Sequence, residues 1–166
     1  MFNWKKKKPV IEIVDILSPI KGRAITLESV PDIAFSSKAM GEGVAIEPTE
    51  GKVTAPFAGQ VMHIMERSKH AIVLEHPSGV HLLIHVGMDT VTLKGDGFKA
   101  YVVSGEKVEA GQLLLEFDIQ KITEAGYSTI SPIIIPDGQD KIHQVEPVLP
   151  NKQTLDAPLL RVSVFI

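Results

Sequence analysis

The stretch of sequence that decides the fold spans His70–Val91 and reads "HAIVLEHPSGVHLLIHVGMDTV". Two apolar runs flank the letters "HPSG", which combine proline, serine and glycine and therefore predict a turn. This pattern is typical of a β-hairpin. In the second run the even positions of residues 80–86 are all aliphatic, so two-residue alternation places His81 and His85 together on the opposite face.

A second histidine enters through the register of this hairpin. Pairing Glu75 with Val80 makes paired residue numbers sum to 155 and places His70 opposite His85. Directly opposed residues have Cβ atoms about 4.5 to 5.5 Å apart, so the two rings could bracket one small anion or metal ion. A three-residue loop would shift the register by one residue and separate them. Ser68 lies two residues before His70, and a continuous strand would put its hydroxyl on the same face.

Other polar groups around His85 favour chemistry over a plain surface role. Gly87 lets a ligand or partner approach the backbone closely, and Asp89 could accept or orient a proton. A neutral imidazole with a pKa near the ordinary value of about 6.5 is a competent nucleophile, and phosphorus is a suitable electrophile. A second histidine, with Ser68 fixing its tautomer, would hold the phosphoryl oxygens. Because no Walker-type loop or kinase signature is present, the phosphoryl group would come from another protein or a small donor.

Short β-rich segments separated by turn signals continue through nearly the whole chain. They include "GEGVAIEP", "GKVTAPFAGQVMHIM", "STISPIIIP" and "LLRVSVFI". Their spacing predicts one all-β domain, an antiparallel β-sandwich or barrel-like fold. The segments "VPDIAFSSKAM" and "IQKITEAG" predict at most short helical turns. We expect the domain to span residues 13–166, after a flexible basic segment over residues 1–12.

Composition excludes several classes of function. The 166 residues carry a net charge of −3, which gives no electrostatic basis for nucleic-acid binding. Cysteine is absent, so there is no disulfide framework and no cysteine-based zinc site. No apolar run approaches the roughly 20 residues that a membrane-spanning helix needs, and the start of the chain does not read as a secretory signal. We therefore expect a soluble, cytoplasmic protein.

Three segments of the chain resemble one known family. They read "KAMGEGVAIEPTEGKVTAPFAGQV", "SKHAIVLEHPSGVHLLIHVGMDTVTLKGDGF" and "VVSGEKVEAGQLLLEFD". They resemble the glucose-type enzyme IIA of the bacterial phosphoenolpyruvate:sugar phosphotransferase system over about residues 16–166. The resemblance implies an antiparallel β-sandwich that accepts a phosphoryl group from the carrier HPr and passes it to the IIB domain of a sugar permease. It implies no required cofactor, and membrane contact only through the permease.

The same resemblance assigns roles to individual residues. His85 matches the phosphorylated histidine of the family, and His70 matches the second active-site histidine. Ser68 matches a threonine that hydrogen-bonds this second histidine, and it keeps the hydroxyl but loses the β-branch, so the ring would be held less firmly. Asp32 and Asp89 match acidic residues beside the site, whose negative charge should help to release the phosphoryl group.

Further positions match a ring of apolar residues where partner proteins dock, namely Phe35, Met40 and Val91. For Phe35 a buried core position is an equally good interpretation. The remaining histidines do not match catalytic positions and are interpreted as surface or turn residues; they are His63, His76, His81 and His143. His81 needs checking in a structure, because alternation puts it on the same face as His85.

Rival functions fit the sequence less well. A zinc peptidase of the lysostaphin type needs an upstream histidine ligand, and residues 1–50 contain none. The resemblance to glucose-type enzyme IIA implies a possible, not constitutive, zinc ion between His70 and His85, completed by a carboxylate from a partner protein. A biotinyl or lipoyl carrier needs an exposed lysine at a hairpin tip, which is absent. A degenerate relative that keeps only a regulatory docking role stays open, although the intact histidine pair argues against it.

Overall fold

Thirteen short strands and two short α-helices form the framework of the described residues, 8–149 and 155–166, in the computed structural model. The strands are β1 (Ile11–Leu17), β2 (Gly22–Thr26), β3 (Gly41–Pro48), β4 (Lys52–Thr54), β5 (Gly59–Ile64), β6 (Ala71–Glu75), β7 (His81–His85), β8 (Phe98–Ala100), β9 (Lys107–Val108), β10 (Leu113–Phe117), β11 (Ser131–Pro136), β12 (Ile142–Pro147) and β13 (Pro158–Phe165). The helices are α1 (Ile33–Ser36) and α2 (Ile119–Glu124), and two 3-10 turns cover Leu27–Ser29 and Thr90–Leu93. The prediction of an all-β domain with only short helical turns is confirmed.

The strands form three antiparallel sheets. The largest has seven strands in the order β2-β3-β11-β7-β6-β5-β9, and the two smaller ones have the orders β1-β13-β12 and β4-β10-β8. Within the described part of the chain no sheet closes on itself, so the architecture is sandwich-like and not a barrel. The site hairpin, β6 with β7, lies in the middle of the large sheet.

The main core fills the space between the large sheet and the smaller ones. It takes the alternate side chains of β7, Leu82 and Ile84, and those of β6, Ile72 and Leu74, all of which are fully buried. The period-two pattern therefore gave the buried face of the hairpin correctly. Residues from every sheet contribute to the same cluster, and its members on the smaller sheets include Val14, Ile16, Val53, Leu115, Val162 and Val164.

A second, smaller apolar cluster lies on the other face of the large sheet. Its buried members are Leu27, Val30, Phe35, Ala45, Met88 and Ile134. Neighbours along β3 and β11 are shared between the two clusters: Val44 and Ile133 face the main core, whereas Ala45 and Ile134 face this one. Strands that are buried on both faces read as continuous apolar runs, which explains "GVAI" and "SPIII". This second cluster lies beneath His85, whose ring packs against its member Phe35.

The register of the site hairpin differs from the predicted one by one residue. The structure pairs Glu75 with His81 and Ala71 with His85, so paired residue numbers sum to 156. His70 is therefore not directly across the strands from His85, and the predicted pairing is wrong.

The cause of this shift is the turn. Its loop contains three residues, 77–79, because the N–H of His76 donates to the carbonyl of Val80 at 2.8 Å. Gly79 adopts a φ of 91° and closes a β-turn by donating its N–H to the carbonyl of His76 at 2.8 Å. A turn followed by one left-handed residue is the common three-residue hairpin loop, and glycine is the residue that enters this conformation without strain.

The first strand also begins earlier than the predicted domain. Ile11 pairs with Phe165, and Glu12 pairs with Val164, so both belong to β1 and not to a flexible segment. The rest of the predicted basic segment, residues 1–7, lies outside the described residues. Among the helices of the described chain, none is long and apolar enough to cross a membrane.

Candidate active site

His85 ends β7 and stands half-buried over the second apolar cluster. Its ring packs against that of Phe35, with centroids 4.9 Å apart and planes at 56°. Its Nδ1 lies 2.9 Å from the carbonyl oxygen of Gly87. A carbonyl oxygen can only accept a hydrogen bond, so Nδ1 carries the ring proton and Nε2 carries the lone pair. The ring nitrogen of His85 that could act as a nucleophile is therefore Nε2.

Gly87 is required by the protein's own packing. Its φ of 74° is a conformation that side chains rarely adopt, and a Cβ there would lie 2.5 Å from Cγ2 of Thr90 and 2.7 Å from the carbonyl oxygen of Ser128. This packing gives a reason for the glycine that is independent of any ligand, and the sequence interpretation, that it lets a ligand or partner approach the backbone, stays a prediction. The turn matters because it aims the Gly87 carbonyl at His85.

His70 meets His85 although the two are not paired across the strands. The rings are 4.8 Å apart between centroids and nearly perpendicular, at 86°. His70 precedes β6 and follows Lys69, whose φ of 53° is left-handed. Its backbone carbonyl accepts the N–H of Val86 at 2.7 Å, which anchors the residue beside the end of β7. The predicted histidine pair is thus present, by a route other than the one predicted.

Ser68 holds the ring of His70. Its Oγ lies 2.6 Å from Nδ1 of His70, and both residues are buried. The predicted contact exists, but Ser68 lies in a turn and not in a continuous strand, so the strand argument for its position is corrected. Because Nδ1 is engaged by the hydroxyl, Nε2 is the ring nitrogen of His70 that remains available to a ligand.

Both histidines are held in the neutral form. Burial, and secondarily the charge of His85, lowers the pKa of His70 to about 4. Burial also lowers the pKa of His85, while the Gly87 carbonyl and then the carboxylates of Asp32 and Asp89 act in the opposite direction. At neutral pH both imidazoles are therefore uncharged, and the tautomer of His85 is fixed with its lone pair on Nε2.

The two acidic residues lie close enough to His85 to act on its charge. Asp32 caps the N-terminus of α1, where its carboxylate accepts the N–H of Ala34 at 2.9 Å. Asp89 is exposed, has a φ of 57° and precedes the 3-10 turn that begins at Thr90. Their placement beside the site agrees with the sequence interpretation, and each stabilises a positive charge on the His85 ring.

The predicted docking residues divide into two groups. Met40 and Val91 are exposed, by 39% and 50%. Phe35 is only 5% exposed and belongs to the second cluster, which agrees with the core alternative; its docking role stays a prediction. The sequence analysis did not single out Ile33, an apolar residue of α1 whose side chain is 81% exposed. Its position directly after the capping residue Asp32 is the feature of the sequence that could have indicated this exposure.

The other histidines lie away from the pair. His81 starts β7, four residues before His85, and its Nε2 is 2.7 Å from a carboxylate oxygen of Glu75. His76 accepts the N–H of Ser78 at Nδ1 within the hairpin turn. His143 packs edge-on against Phe165, and His63 is exposed on β5.

Metal binding by this chain alone lacks support in the described residues. No group of three or more histidine, cysteine, aspartate or glutamate side chains there is arranged to hold an ion. His70 and His85 would supply two of the four ligands that zinc prefers.

Comparisons with known proteins agree with this site. The model of the family described as phosphoenolpyruvate-dependent sugar phosphotransferase system, EIIA 1, matches residues 14–141. A relative in Oceanobacillus iheyensis, named as a glucose-specific EIIA component, is 42% identical over 146 residues, which are 88% of this chain and 86% of the relative. The glucosamine-specific EIICBA component of Bacillus subtilis is 48% identical over 74% of this chain, which covers 19% of that longer protein. The solved glucose permease IIA from Mycoplasma capricolum superposes with a TM-score of 0.78 at 32% identity, over 90% of this chain and 96% of that one.

Fold, match and relatives together define a phosphoryl carrier, a protein that takes up a phosphoryl group and hands it on. More narrowly, the chain belongs to the EIIA 1 family of the phosphoenolpyruvate-dependent sugar phosphotransferase system. It is therefore a phosphotransferase component in sugar uptake, as the sequence resemblance implied.

Proposed function

We propose that His85 is the residue that carries the phosphoryl group, accepting it from phospho-HPr and passing it to the IIB domain of a sugar permease. The observation that supports this most directly is the bond from Nδ1 of His85 to the carbonyl of Gly87. It leaves the lone pair on Nε2, which is the electron pair that a phosphorus atom needs from its acceptor.

The transfer then balances in two steps. The lone pair of Nε2 forms a bond to phosphorus while the bond from phosphorus to the donor atom of phospho-HPr breaks, and the electron pair of that bond stays with the donor. In the onward step the bond from Nε2 to phosphorus breaks and its electron pair returns to Nε2, as the acceptor atom of the IIB domain bonds to phosphorus. Nδ1 keeps its proton throughout, held by Gly87.

His70 orients the phosphoryl group as a neutral donor. With a pKa of about 4 it contributes no positive charge at neutral pH. When the hydroxyl of Ser68 donates to Nδ1, the ring proton lies on Nε2, the atom left available to a phosphoryl oxygen. Hydrogen bonding without a full charge holds the group in place but does not trap it, which suits a carrier that must release it.

Asp32 and Asp89 favour release. Once His85 is phosphorylated, two carboxylates face a dianionic group, and like charges raise the free energy of the phosphorylated state. The same carboxylates stabilise the positive charge on the ring. We propose that this balance keeps the phosphoryl group transferable in both directions.

Partner proteins would dock on the apolar rim around His85. Ile33, Met40 and Val91 are exposed apolar residues and are the proposed members of this rim, and the ring of Phe35 packs against that of His85. The proposal keeps the cytoplasm as the location, with membrane contact only through the permease and no nucleic-acid partner. It requires no cofactor for the transfer, and a zinc ion could join His70 and His85 only where a partner supplies a carboxylate.

The test is incubation with phosphoenolpyruvate, enzyme I and HPr, followed by intact mass measurement under alkaline conditions. One added phosphoryl group is expected on the wild type and none on His85→Ala. His81→Ala is the matched control, since His81 is on the same strand and face and should leave labelling unchanged. His70→Ala is expected to accept the group and pass it on poorly. An unlabelled wild type would instead favour a degenerate docking relative.

A further inference from the structure

The short turn after His85 is unusually well anchored. Each backbone N–H from Val86 to Met88 has a hydrogen-bond acceptor. The Val86 N–H donates to the His70 carbonyl at 2.7 Å, and the Met88 N–H donates to the Ser128 carbonyl at 3.0 Å. The Gly87 N–H donates to Oγ of Ser131 at 3.2 Å. In the middle of this set, the Gly87 carbonyl is the group that accepts the proton of Nδ1 of His85.

Two buried hydroxyls complete the anchoring. Ser131 begins β11, is fully buried, and donates its own proton to the Thr129 carbonyl at 2.8 Å, so its Oγ presents a lone pair to Gly87. Thr90 is also fully buried and donates to the Val86 carbonyl in a short hydrogen bond. The two hydroxyls thus hold both polar groups of the Val86–Gly87 peptide, its carbonyl and its N–H.

We propose that Ser131 is a positioning residue for His85: it holds the Val86–Gly87 peptide, and through it the Gly87 carbonyl, in the orientation that fixes the His85 tautomer, with Thr90 as its companion. The function of the tautomer rests on the proposed role of His85 as phosphoryl acceptor. Neither hydroxyl contacts the reacting nitrogen. Both act on the Val86–Gly87 peptide, whereas the carbonyl that accepts from Nδ1 belongs to the next peptide, Gly87–Met88. Their effect therefore passes through the Cα of Gly87, because rotation of the first peptide changes the φ of Gly87 and moves the carbonyl oxygen relative to Nδ1.

The physical consequence of losing Ser131 follows from this geometry. In Ser131→Ala the buried N–H of Gly87 has no acceptor, and a buried unsatisfied donor is costly enough to drive the Val86–Gly87 peptide to another orientation. The changed φ of Gly87 then shifts the carbonyl that follows it. Nδ1 of His85 then loses its fixed acceptor, and the ring proton distributes between Nδ1 and Nε2. Every molecule with the proton on Nε2 has its lone pair on Nδ1 and none on Nε2, the atom that attacks phosphorus, so the transfer rate falls as that population grows.

The direct readout is the ring tautomer of unphosphorylated His85, measured by nitrogen-15 correlation spectra near pH 7. Wild type is expected to carry the proton on Nδ1, and Ser131→Ala to populate the Nε2-protonated form. Phosphorylation by phospho-HPr is expected to slow about fivefold in Ser131→Ala, the factor equivalent to one hydrogen bond of ordinary net strength. Ser131→Thr keeps the hydroxyl and should retain both the wild-type tautomer and the wild-type rate.

A matched control separates positioning from loss of stability. Ser18 is also a buried serine, and its Oγ donates to the Ile20 carbonyl at 2.6 Å, away from the site hairpin. Ser18→Ala should lower stability to a similar degree and leave the His85 spectrum and the rate unchanged. If Ser131→Ala does not fold, Thr90→Val, which has nearly the same shape without the hydroxyl, is expected to give the same change of tautomer.

The spectra and rates test the positioning role of Ser131 separately from the phosphoryl-acceptor role of His85. An unchanged His85 tautomer in a folded Ser131→Ala or Thr90→Val protein would overturn the positioning role, whether or not His85 is phosphorylated. An equal loss of rate in Ser18→Ala would also overturn it, since the effect would then be general destabilisation. A wild type that accepts no phosphate would refute the proposed function, while the spectra would still decide whether Ser131 fixes the tautomer.

Discussion

Acidification should destabilise this protein through His70, by an amount that the structure predicts. The folded state holds His70 neutral, with its pKa lowered to about 4, chiefly by burial. The unfolded chain has an ordinary histidine, whose pKa is about 6.5. As pH falls from about 6.5 to 4, the unfolded state gains a proton that the folded state does not accept. Stability is therefore full above the unfolded pKa and is lost through this window.

The size of the effect follows from the same two values. Linkage between a pKa of about 4 in the folded state and about 6.5 in the unfolded state gives a loss of about 2 kcal/mol between pH 7 and pH 5. His70 is only 6% exposed, so screening by solvent reduces the figure little. Burial also lowers the pKa of His85, so His85 adds to the loss of stability in wild type. The contribution of His70 is therefore measured as a difference between wild type and a variant that lacks its imidazole.

The assay compares urea unfolding of wild type and His70→Gln at pH 7 and at pH 5. Glutamine keeps a polar side chain but binds no proton, so its loss of stability between the two pH values should be smaller than that of wild type by about 2 kcal/mol. His63→Gln, at an exposed position of β5, controls for the replacement of a histidine as such. An identical loss in wild type and His70→Gln would refute the conclusion that folding holds His70 neutral.

Three further predictions concern the support of the site. Gly87→Ala should lower the free energy of unfolding by about 2 kcal/mol or more, measured by urea unfolding, whereas Gly105→Ala, which also has a positive φ but open space around it, should cost about 1 kcal/mol. Phe35→Ala should lower the free energy of unfolding by about 3 to 5 kcal/mol because its ring is buried. Met40→Ala should leave stability nearly unchanged and raise the KM for phospho-HPr in a steady-state assay. Equal stability of the two variants would contradict the assignment of Phe35 to the core and Met40 to the surface. Ser68→Ala should still be labelled at His85 but transfer to the IIB domain more slowly, and Ser68→Thr should transfer normally, as followed by loss of the phosphorylated mass.

The faces of the hairpin were predictable from the sequence, whereas its register was not. Two-residue alternation is a property of the strand alone, so Leu82 and Ile84 identified the buried face whatever the loop did. Register depends on loop length, and "HPSG" allows both a three-residue and a four-residue loop. The deciding bonds, from His76 to Val80 and from Gly79 to His76, involve backbone groups that every non-proline residue carries.

The supporting hydroxyls could not be found from the sequence for a different reason. Ser131 lies 44 residues after Gly87 along the chain, and the two meet because β11 is the neighbour of β7 in the large sheet. Neither composition nor spacing contains that strand order. Phe35 shows the same limit: an aromatic residue in a short helical turn suits a docking surface or a core equally well until the second cluster is seen beneath His85.

The survival of the histidine pair despite the register shift has a structural cause at Lys69. In the observed register His70 falls across from Val86, and a strand continued to that position would send its ring into the main core beside Ile72. Strand geometry instead begins only at Ala71, and the left-handed Lys69 turns the backbone so that the ring of His70 reaches His85. The backbone carbonyl of His70 keeps its strand-like bond to the Val86 N–H, so the main chain stays in register while the side chain leaves the core face. The pair therefore forms because β6 begins after His70 and does not include it. A regular strand through His70 would have buried its ring in the main core, away from His85.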